Sequence, residues 1–156
     1  DFLSLSNEAE FADVELITFW GVLEHVPEPM EFLRQANRLL SRKEALVIAE
    51  VPRWESLSTS VQSTYADSVT RHLDPLGHIH CFTDNSLATA YKLAGFGPVA
   101  AWYFGMDAYE MVAQFTYHST NSAAAIHRGG ELIGSLQSYI DAARLSDEIV
   151  LAGRPE

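Results

Sequence analysis

The strongest constraint on the fold of this chain is the segment of residues 17–27, ITFWGVLEHVP. It begins as an apolar run rich in β-branched and aromatic residues, which predicts a buried strand over residues 14–20. The run stops at Gly21, and an acid–imidazole pair, Glu24 and His25, follows before Pro27. Because ligands of open α/β sheets bind beyond the carboxyl ends of the strands, we expect this pair at the edge of an active site.

The rest of the sequence alternates between helical and strand patterns. We predict strands over residues 14–20, 45–51, 98–104 and 148–152, and helices over residues 29–40, 84–94, 107–117 and 122–145, the last broken at Gly129 and Gly130. The initial strand–helix–strand order favours a right-handed parallel crossover. The whole pattern predicts a single α/β domain over residues 1–156, built as a three-layer sandwich, with a polar insert or lid at residues 53–75.

Composition argues against several classes of protein. The 156 residues are 47% hydrophobic, which suits a globular domain with its own core. No apolar run approaches the ~20 residues that cross a bilayer, and no signal peptide is recognised, so we expect a cytoplasmic protein without membrane contact. The net charge of −11 would repel a nucleic-acid backbone. The single cysteine, Cys81, cannot form an internal disulfide, and we predict a buried structural thiol.

Four motifs in order resemble class I S-adenosylmethionine (SAM)-dependent methyltransferases. They are Leu-Glu-His-Val after the first strand (residues 23–26), Val-Pro at the end of the second (residues 51–52), HIHCFTDNSL (residues 78–87) and Leu-Ala-Gly-Phe (residues 93–96). The likeness is good over residues 1–104 and weak beyond them. It implies a partial Rossmann-like methyltransferase fold with a mixed sheet, equivalent to the family's fourth to seventh strands, in which the last strand inserts antiparallel.

The resemblance also implies a cofactor and a reaction. The cofactor would be SAM, and its methyl group would pass to a small-molecule acceptor held by the insert and by residues 106–145. Phe19, Trp20 and Gly21 would line the cofactor pocket, and Asp1 with Phe2 resembles the acidic–apolar pair that follows the third strand in the family and contacts adenine. Gly21 suits a close approach of the backbone to a ligand. The alternative is that Gly21 only permits a turn and Trp20 packs in the core.

Two histidines are candidates for catalysis. His25 lies beside Glu24, and imidazole titrates near neutral pH and can transfer protons. His80 follows the insert, where the family places substrate-facing residues. The alternative is that Glu24 and His25 only brace their loop, because methyl transfer can rely on proximity and orientation. We predict no metal, since metal-dependent relatives carry another Glu three residues before the acid–imidazole pair, where this chain has Gly21.

The remaining histidines and aromatic residues have plainer interpretations. Three histidines are isolated in sequence and are expected at the surface or in satisfied core positions: His72, His118 and His127. Four aromatic residues either line a substrate pocket or pack in the core: Trp102, Tyr103, Phe104 and Tyr109.

The family's glycine-rich cofactor loop has no counterpart in this sequence. We therefore expect the C-terminal part of a truncated methyltransferase that is inactive by itself. The alternative is a degenerate methyltransferase-like module with a non-enzymatic binding or assembly role. A hydrolase is not supported, because no GxSxG nucleophile elbow occurs. Without preceding strands, residues 14–20 would form an apolar sheet edge, so we predict a homodimer through that edge or aggregation.

Overall fold

The computed structural model describes residues 1–6, 8–40, 42–65, 70–74, 76–116 and 122–156. Two short 3₁₀ helices, Phe2–Ser4 and Glu8–Phe11, come first. The other elements are β1 (Leu16–Trp20), α1 (Pro29–Leu39), β2 (Leu46–Pro52), α2 (Leu57–Gln62), α3 (Asp84–Leu93), β3 (Phe96–Phe104), α4 (Asp107–Thr116), α5 (Ser122–Arg128), α6 (Gly130–Ala142) and β4 (Glu148–Pro155). The predicted order of strands and helices is confirmed, including the helix break at Gly129 and Gly130.

The four strands form one mixed sheet in the order β1-β2-β4-β3. β1 and β2 are parallel, with Ile17 opposite Val47, and α1 forms the crossover between them. β4 lies between β2 and β3 and is antiparallel to both. The prediction of an α/β fold with a mixed sheet and an inserted antiparallel last strand is therefore confirmed.

Helices α1 and α3 cover one face of the sheet. Alternate strand residues such as Phe19, Val47 and Leu151 point into this core, and each is at most 6% exposed. Leu33 of α1 and Tyr91 of α3 are fully buried against them. Burying one such side chain stabilises the fold by about 1.5–3 kcal/mol. This core holds β1 and β2 in register, so that their carboxyl ends reach the same edge of the sheet.

The opposite face of the sheet is less covered. Leu16, Trp20 and Trp102 alternate with the core residues of their strands and are 52%, 56% and 62% exposed. Trp20 therefore does not pack in the core. Among the described strands β1 pairs only with β2, which leaves its other side as the predicted edge of the sheet.

A buried aspartate fastens the later helices to the sheet. Asp107, at the start of α4, is fully buried and accepts hydrogen bonds from the backbone N–H groups of Ser58 (3.0 Å) and Asp147 (2.9 Å). Burial and the nearby negative charge of Asp147 raise the pKa of Asp107. These bonds tie α2 and α4 to the beginning of β4, at the edge where β1 and β2 end.

One sequence prediction is wrong, and others concern residues that the structure does not describe. The thiol of Cys81 was predicted to be buried, which is wrong: the residue is exposed, with its sulfur 3.8 Å from the carbonyl oxygen of His72. His118, and residues 66–69 and 75 of the predicted insert, lie outside the described residues. None of the described helices has the length and apolarity to cross a membrane.

Candidate functional site

The carboxyl end of β1 turns sharply at Gly21. This residue has a φ of +59°, a conformation that glycine adopts far more readily than other residues. Its N–H donates a 2.9 Å hydrogen bond to a carboxylate oxygen of Glu50, which lies opposite Trp20 on β2. The two parallel strands are thus joined where they end, and the backbone of Gly21 stays exposed beside the ring of Trp20.

The other residues predicted to line the cofactor pocket are Asp1, Phe2 and Phe19, and they lie on the core side of this turn. Phe19 is 5% exposed and packs against Phe2 and Phe32, with ring centroids 5.4 Å and 6.2 Å away. Asp1 caps the first 3₁₀ helix by accepting the N–H of Leu3 at 3.2 Å. The structure therefore brings Phe2 and Phe19 together in the core, whereas Trp20 and Gly21 face the open edge.

Glu24 is a buried carboxylate beside an exposed imidazole. Its side chain is 3% exposed, and Oε1 lies 3.6 Å from Nε2 of His25, whose side chain is 43% exposed. Among the described residues Oε2 of Glu24 has no hydrogen-bond partner. Burial raises the pKa of Glu24, although a backbone hydrogen bond and the neighbouring imidazoles of His25 and His78 oppose the shift.

Three imidazole rings form a row from the surface to the interior. The ring centroids of His25 and His78 are 4.8 Å apart, and those of His78 and His72 are 5.8 Å apart. His25 Nδ1 lies 2.8 Å from the carbonyl oxygen of Gly77, and His78 Nδ1 lies 3.3 Å from that of His72. His72, which was expected at the surface or in the core, is a core residue and lies at the inner end of this row.

His80 is not in the row of rings. Its Nε2 lies 3.3 Å from the carbonyl oxygen of Pro27, and its backbone N–H donates to the carbonyl oxygen of Glu24 at 3.2 Å. The N–H of Ile79 donates to the same oxygen at 2.9 Å. The segment that carries His78 and His80 is thus fastened to the Glu24 turn, with the two imidazoles at different places.

The inner end of the row meets acidic residues from the start of β4. Asp147 Oδ2 lies 3.1 Å from Nε2 of His72 and 2.7 Å from the guanidinium of Arg71. Burial works against ionisation of Asp147, but hydrogen bonds from His72 and the Met106 N–H, with the charge of Arg71, keep its pKa below the usual value. Burial, and then the neighbouring carboxyl of Glu50, raise the pKa of Glu148 to about 9.

Sequence reasoning missed Glu50, His72, Asp147 and Glu148 as parts of this cluster. One signal was available for Glu50, because it is the only charged residue in the apolar run of residues 45–51. Asp147 and Glu148 precede the last strand, and an antiparallel strand places its first residues at the carboxyl edge of the parallel strands. His72 gave no signal, since its neighbours in the row are six or more residues away in sequence.

A family comparison agrees with this arrangement. Residues 5–101 match the model of the methyltransferase domain family. The match covers more than half of the chain, and the chain belongs to this family. It includes the Gly21 turn and the three histidines of the row, but not β4 with Asp147 and Glu148. A comparison with curated proteins gave no sequence match.

Solved structures share the fold at low sequence identity. A SAM-dependent methyltransferase from Thermotoga maritima has a TM-score of 0.56 and 11% identity, with 93% of this chain and 57% of that one covered. A SAM-dependent methyltransferase from Archaeoglobus fulgidus has a TM-score of 0.51 and 15% identity, with coverages of 96% and 65%. The cyclase SpnF has a TM-score of 0.53 and 13% identity, with coverages of 99% and 53%.

These comparisons confirm the class I methyltransferase resemblance and the Rossmann-like fold. The predicted cofactor, SAM, is the one named for the two methyltransferase structures. The chain spans less than two thirds of the length of each of the three structures. The third structure is named as a cyclase, so the fold alone does not define the reaction.

Proposed function

We propose that this chain forms the acceptor-facing part of a SAM-dependent methyltransferase and supplies one wall of its cofactor pocket. The observation that carries the proposal is the Gly21 turn at the carboxyl end of β1, fixed by Glu50 and flanked by the exposed ring of Trp20. Ligands of open α/β sheets lie beyond such strand ends. Membership of the methyltransferase domain family supports SAM as that ligand.

The turn fits the proposed cofactor because it exposes backbone and an aromatic surface together. A Cβ at Gly21 would lie 3.6 Å from Oε1 of Glu24, in a backbone conformation that side chains rarely adopt. Because Gly21 has no Cβ, a ligand can approach its backbone closely. Trp20 offers a flat apolar face to an adenine or to the methionyl chain. Phe2 and Phe19 support this wall from the core side.

The acceptor would lie on the side of the imidazole row. SAM, when bound, supplies an activated methyl group that an oxygen, nitrogen or carbon nucleophile of the acceptor displaces in line, leaving S-adenosylhomocysteine. The protein's contribution is to hold the acceptor in line, which can supply much of the rate acceleration. We propose that His25, which is exposed at the mouth of the row, faces the acceptor, and that His80 positions the loop through Pro27.

The acceptor side would also include the described parts of the insert and of residues 106–145. Asp107 and Asp147 attach these segments to the carboxyl edge of the sheet, which brings α2 and α4 next to the row. The net charge of −11 favours a small molecule over a nucleic acid as the acceptor.

Calorimetric titration of the complete gene product with SAM and with S-adenosylhomocysteine tests this proposal. We expect both ligands to bind, and Trp20→Ala to weaken binding about tenfold through loss of a buried ring contact. Trp102→Ala is the matched control, since Trp102 is similarly exposed on the same face of the sheet but on β3. Absence of heat with both ligands would overturn the proposal and favour a degenerate module with a binding role.

A further inference from the structure

We propose that Glu24, His25 and His78 bind a divalent transition-metal ion, with Zn²⁺ as the best-fitting ion. One ligand atom from each residue lies within 4.8 Å of the other two. Two imidazole nitrogens and one carboxylate oxygen form a ligand set that suits Zn²⁺ and its first-row neighbours. The proposal departs from the sequence-based prediction of no metal, which rested on Gly21 and took no account of where His78 lies. It rests on the described geometry of these side chains and does not depend on methyl transfer.

The spacing of the ligands is close to that of a bound ion. Zn²⁺ bonds of about 2.0–2.2 Å place neighbouring ligand atoms roughly 3.3 Å apart in a tetrahedral site. Glu24 Oε1 and His25 Nε2 are already 3.6 Å apart. His25 and His78 are both at least partly exposed, so their rings have room for the small inward rotation that closes the site.

Both imidazoles are oriented as metal ligands usually are. A carbonyl oxygen only accepts hydrogen bonds, so the Nδ1 atoms of His25 and His78 donate to the carbonyls of Gly77 and His72, at 2.8 Å and 3.3 Å. In the neutral rings this leaves the lone pair on Nε2. Metal-binding histidines characteristically use one nitrogen for the ion and donate the other N–H to a carbonyl or carboxylate.

The carboxylate supplies the independent reason for a cation. Glu24 is 2% exposed, and among the described residues its Oε2 has no hydrogen-bond partner. An unpaired buried carboxylate is costly unless a cation or a donor compensates for the lost hydration. No Lys or Arg lies within ion-pair distance of Glu24 in the described part of the chain, where its one ion-pair contact is His25. A metal ion between Glu24 and the two Nε2 atoms would provide the missing compensation.

The backbone holds the three ligands together before any ion arrives. Glu24 and His25 lie in the turn after β1, whereas His78 is more than fifty residues further along the chain. The carbonyl oxygen of Glu24 accepts the N–H groups of Ile79 and His80, which joins the two segments. Preorganised ligands of this kind lower the entropic cost of binding an ion.

The His25 side chain is 43% exposed, so the site borders solvent, whereas structural metal sites are closed. Three protein ligands leave a position for water or for an acceptor atom, as in catalytic zinc sites. Gly21 keeps the neighbouring space free, since a side chain there would point at Oε1 of Glu24. A bound ion would also occupy the His25 lone pair, so His25 would not serve as a general base in the metal-bound protein.

Titration calorimetry with Zn²⁺ tests the site, and it uses the complete gene product after treatment with a chelator. Cys81→Ser is introduced throughout, because the exposed thiol is a competing zinc ligand. We expect one Zn²⁺ per chain with a dissociation constant of about 1 μM or lower, and much weaker binding of Mg²⁺, which prefers oxygen ligands. Co²⁺ should give the visible absorption of a low-coordinate nitrogen–oxygen site.

Three variants and one control assign the ligands. His78→Ala, His25→Ala and Glu24→Gln should each weaken Zn²⁺ binding at least tenfold, whereas His127→Ala, at an exposed histidine of α5, should change it less than about twofold. Glu24 is buried, and its substitution could unfold the protein. His25 is exposed, so His25→Ala then shows whether the proposed ligands bind Zn²⁺. The proposal fails if Zn²⁺ does not bind, or if binding survives His25→Ala unchanged. If the wild-type protein binds Zn²⁺ but not SAM, that result would instead contradict only the methyltransferase proposal.

Discussion

Replacing Glu148 by Gln should stabilise the protein above acidic pH. Glu148 is 8% exposed, and its Oε2 has no hydrogen-bond partner among the described residues. A proton on Glu148 lets it donate to Glu50, and burial together with this contact raises the pKa of Glu148 from 4.5 to about 9. Gln provides a donor of the same shape without the need for a proton.

The magnitude follows from proton linkage. Between these two pKa values the folded protein keeps a proton that the unfolded chain releases, so stability falls by about 1.4 kcal/mol for each unit of rising pH. At pH 7 the accumulated cost is about 3 kcal/mol, which Glu148→Gln should largely recover. Below the unfolded pKa both states are protonated and the difference between variant and wild type should vanish. Above about pH 9, the pKa of Glu148 in the folded protein, the difference in free energy of unfolding should stop increasing.

Urea unfolding followed by circular dichroism at several pH values measures this difference. Glu44→Gln is the control, because the Glu44 side chain is 88% exposed and its removal should leave the pH dependence unchanged. The reasoning is refuted if Glu148→Gln is no more stable than wild type at pH 7, or if any gain is the same at acidic pH.

Three further changes test packing, ion pairing and the sheet edge. Gly153→Ala should cost about 1–3 kcal/mol in urea unfolding, because its Cβ would lie 2.7 Å from the ring of buried Tyr91. Arg53→Met should cost about 2 kcal/mol in the same assay, since it removes the partner of Asp84. Analytical ultracentrifugation of residues 1–156 should show self-association through β1, and Thr18→Lys, on that exposed strand, should reduce it. A monodisperse wild-type monomer would count against the edge prediction.

The sequence predicted the fold well because its signals are local. Apolar runs, helix caps and glycines at helix ends each act on adjacent residues, as in the capping box between Thr83 and Ser86 at the start of α3. Boundaries were less accurate: β3 starts at Phe96, and β4 continues to Pro155. Both extensions lie where the two strands pair, and pairing with a distant strand leaves no local sequence signal.

The site was predicted only in part, because its members come from distant segments. The Gly21 turn and the Glu24–His25 pair were recognisable, since they follow directly from one strand. The contact between His78 and His25 depends on hydrogen bonds that cross more than fifty residues of sequence. No periodicity or spacing encodes such a contact. The burial of Glu24 likewise depends on what the fold places around it.

The direction of β4 explains why the site is so rich in carboxylates. Because β4 is antiparallel to β2 and β3, its first residue, Glu148, lies opposite Pro52 and Phe104, where those strands end. A parallel last strand would instead place the opposite end, near Pro155, at this edge. The antiparallel insertion therefore adds Asp147 and Glu148 to the carboxyl edge, although neither belongs to the segment that matches the methyltransferase domain family. The charge of the inner end of the imidazole row can thus change by substitution in β4 without any change in the motifs that define the family.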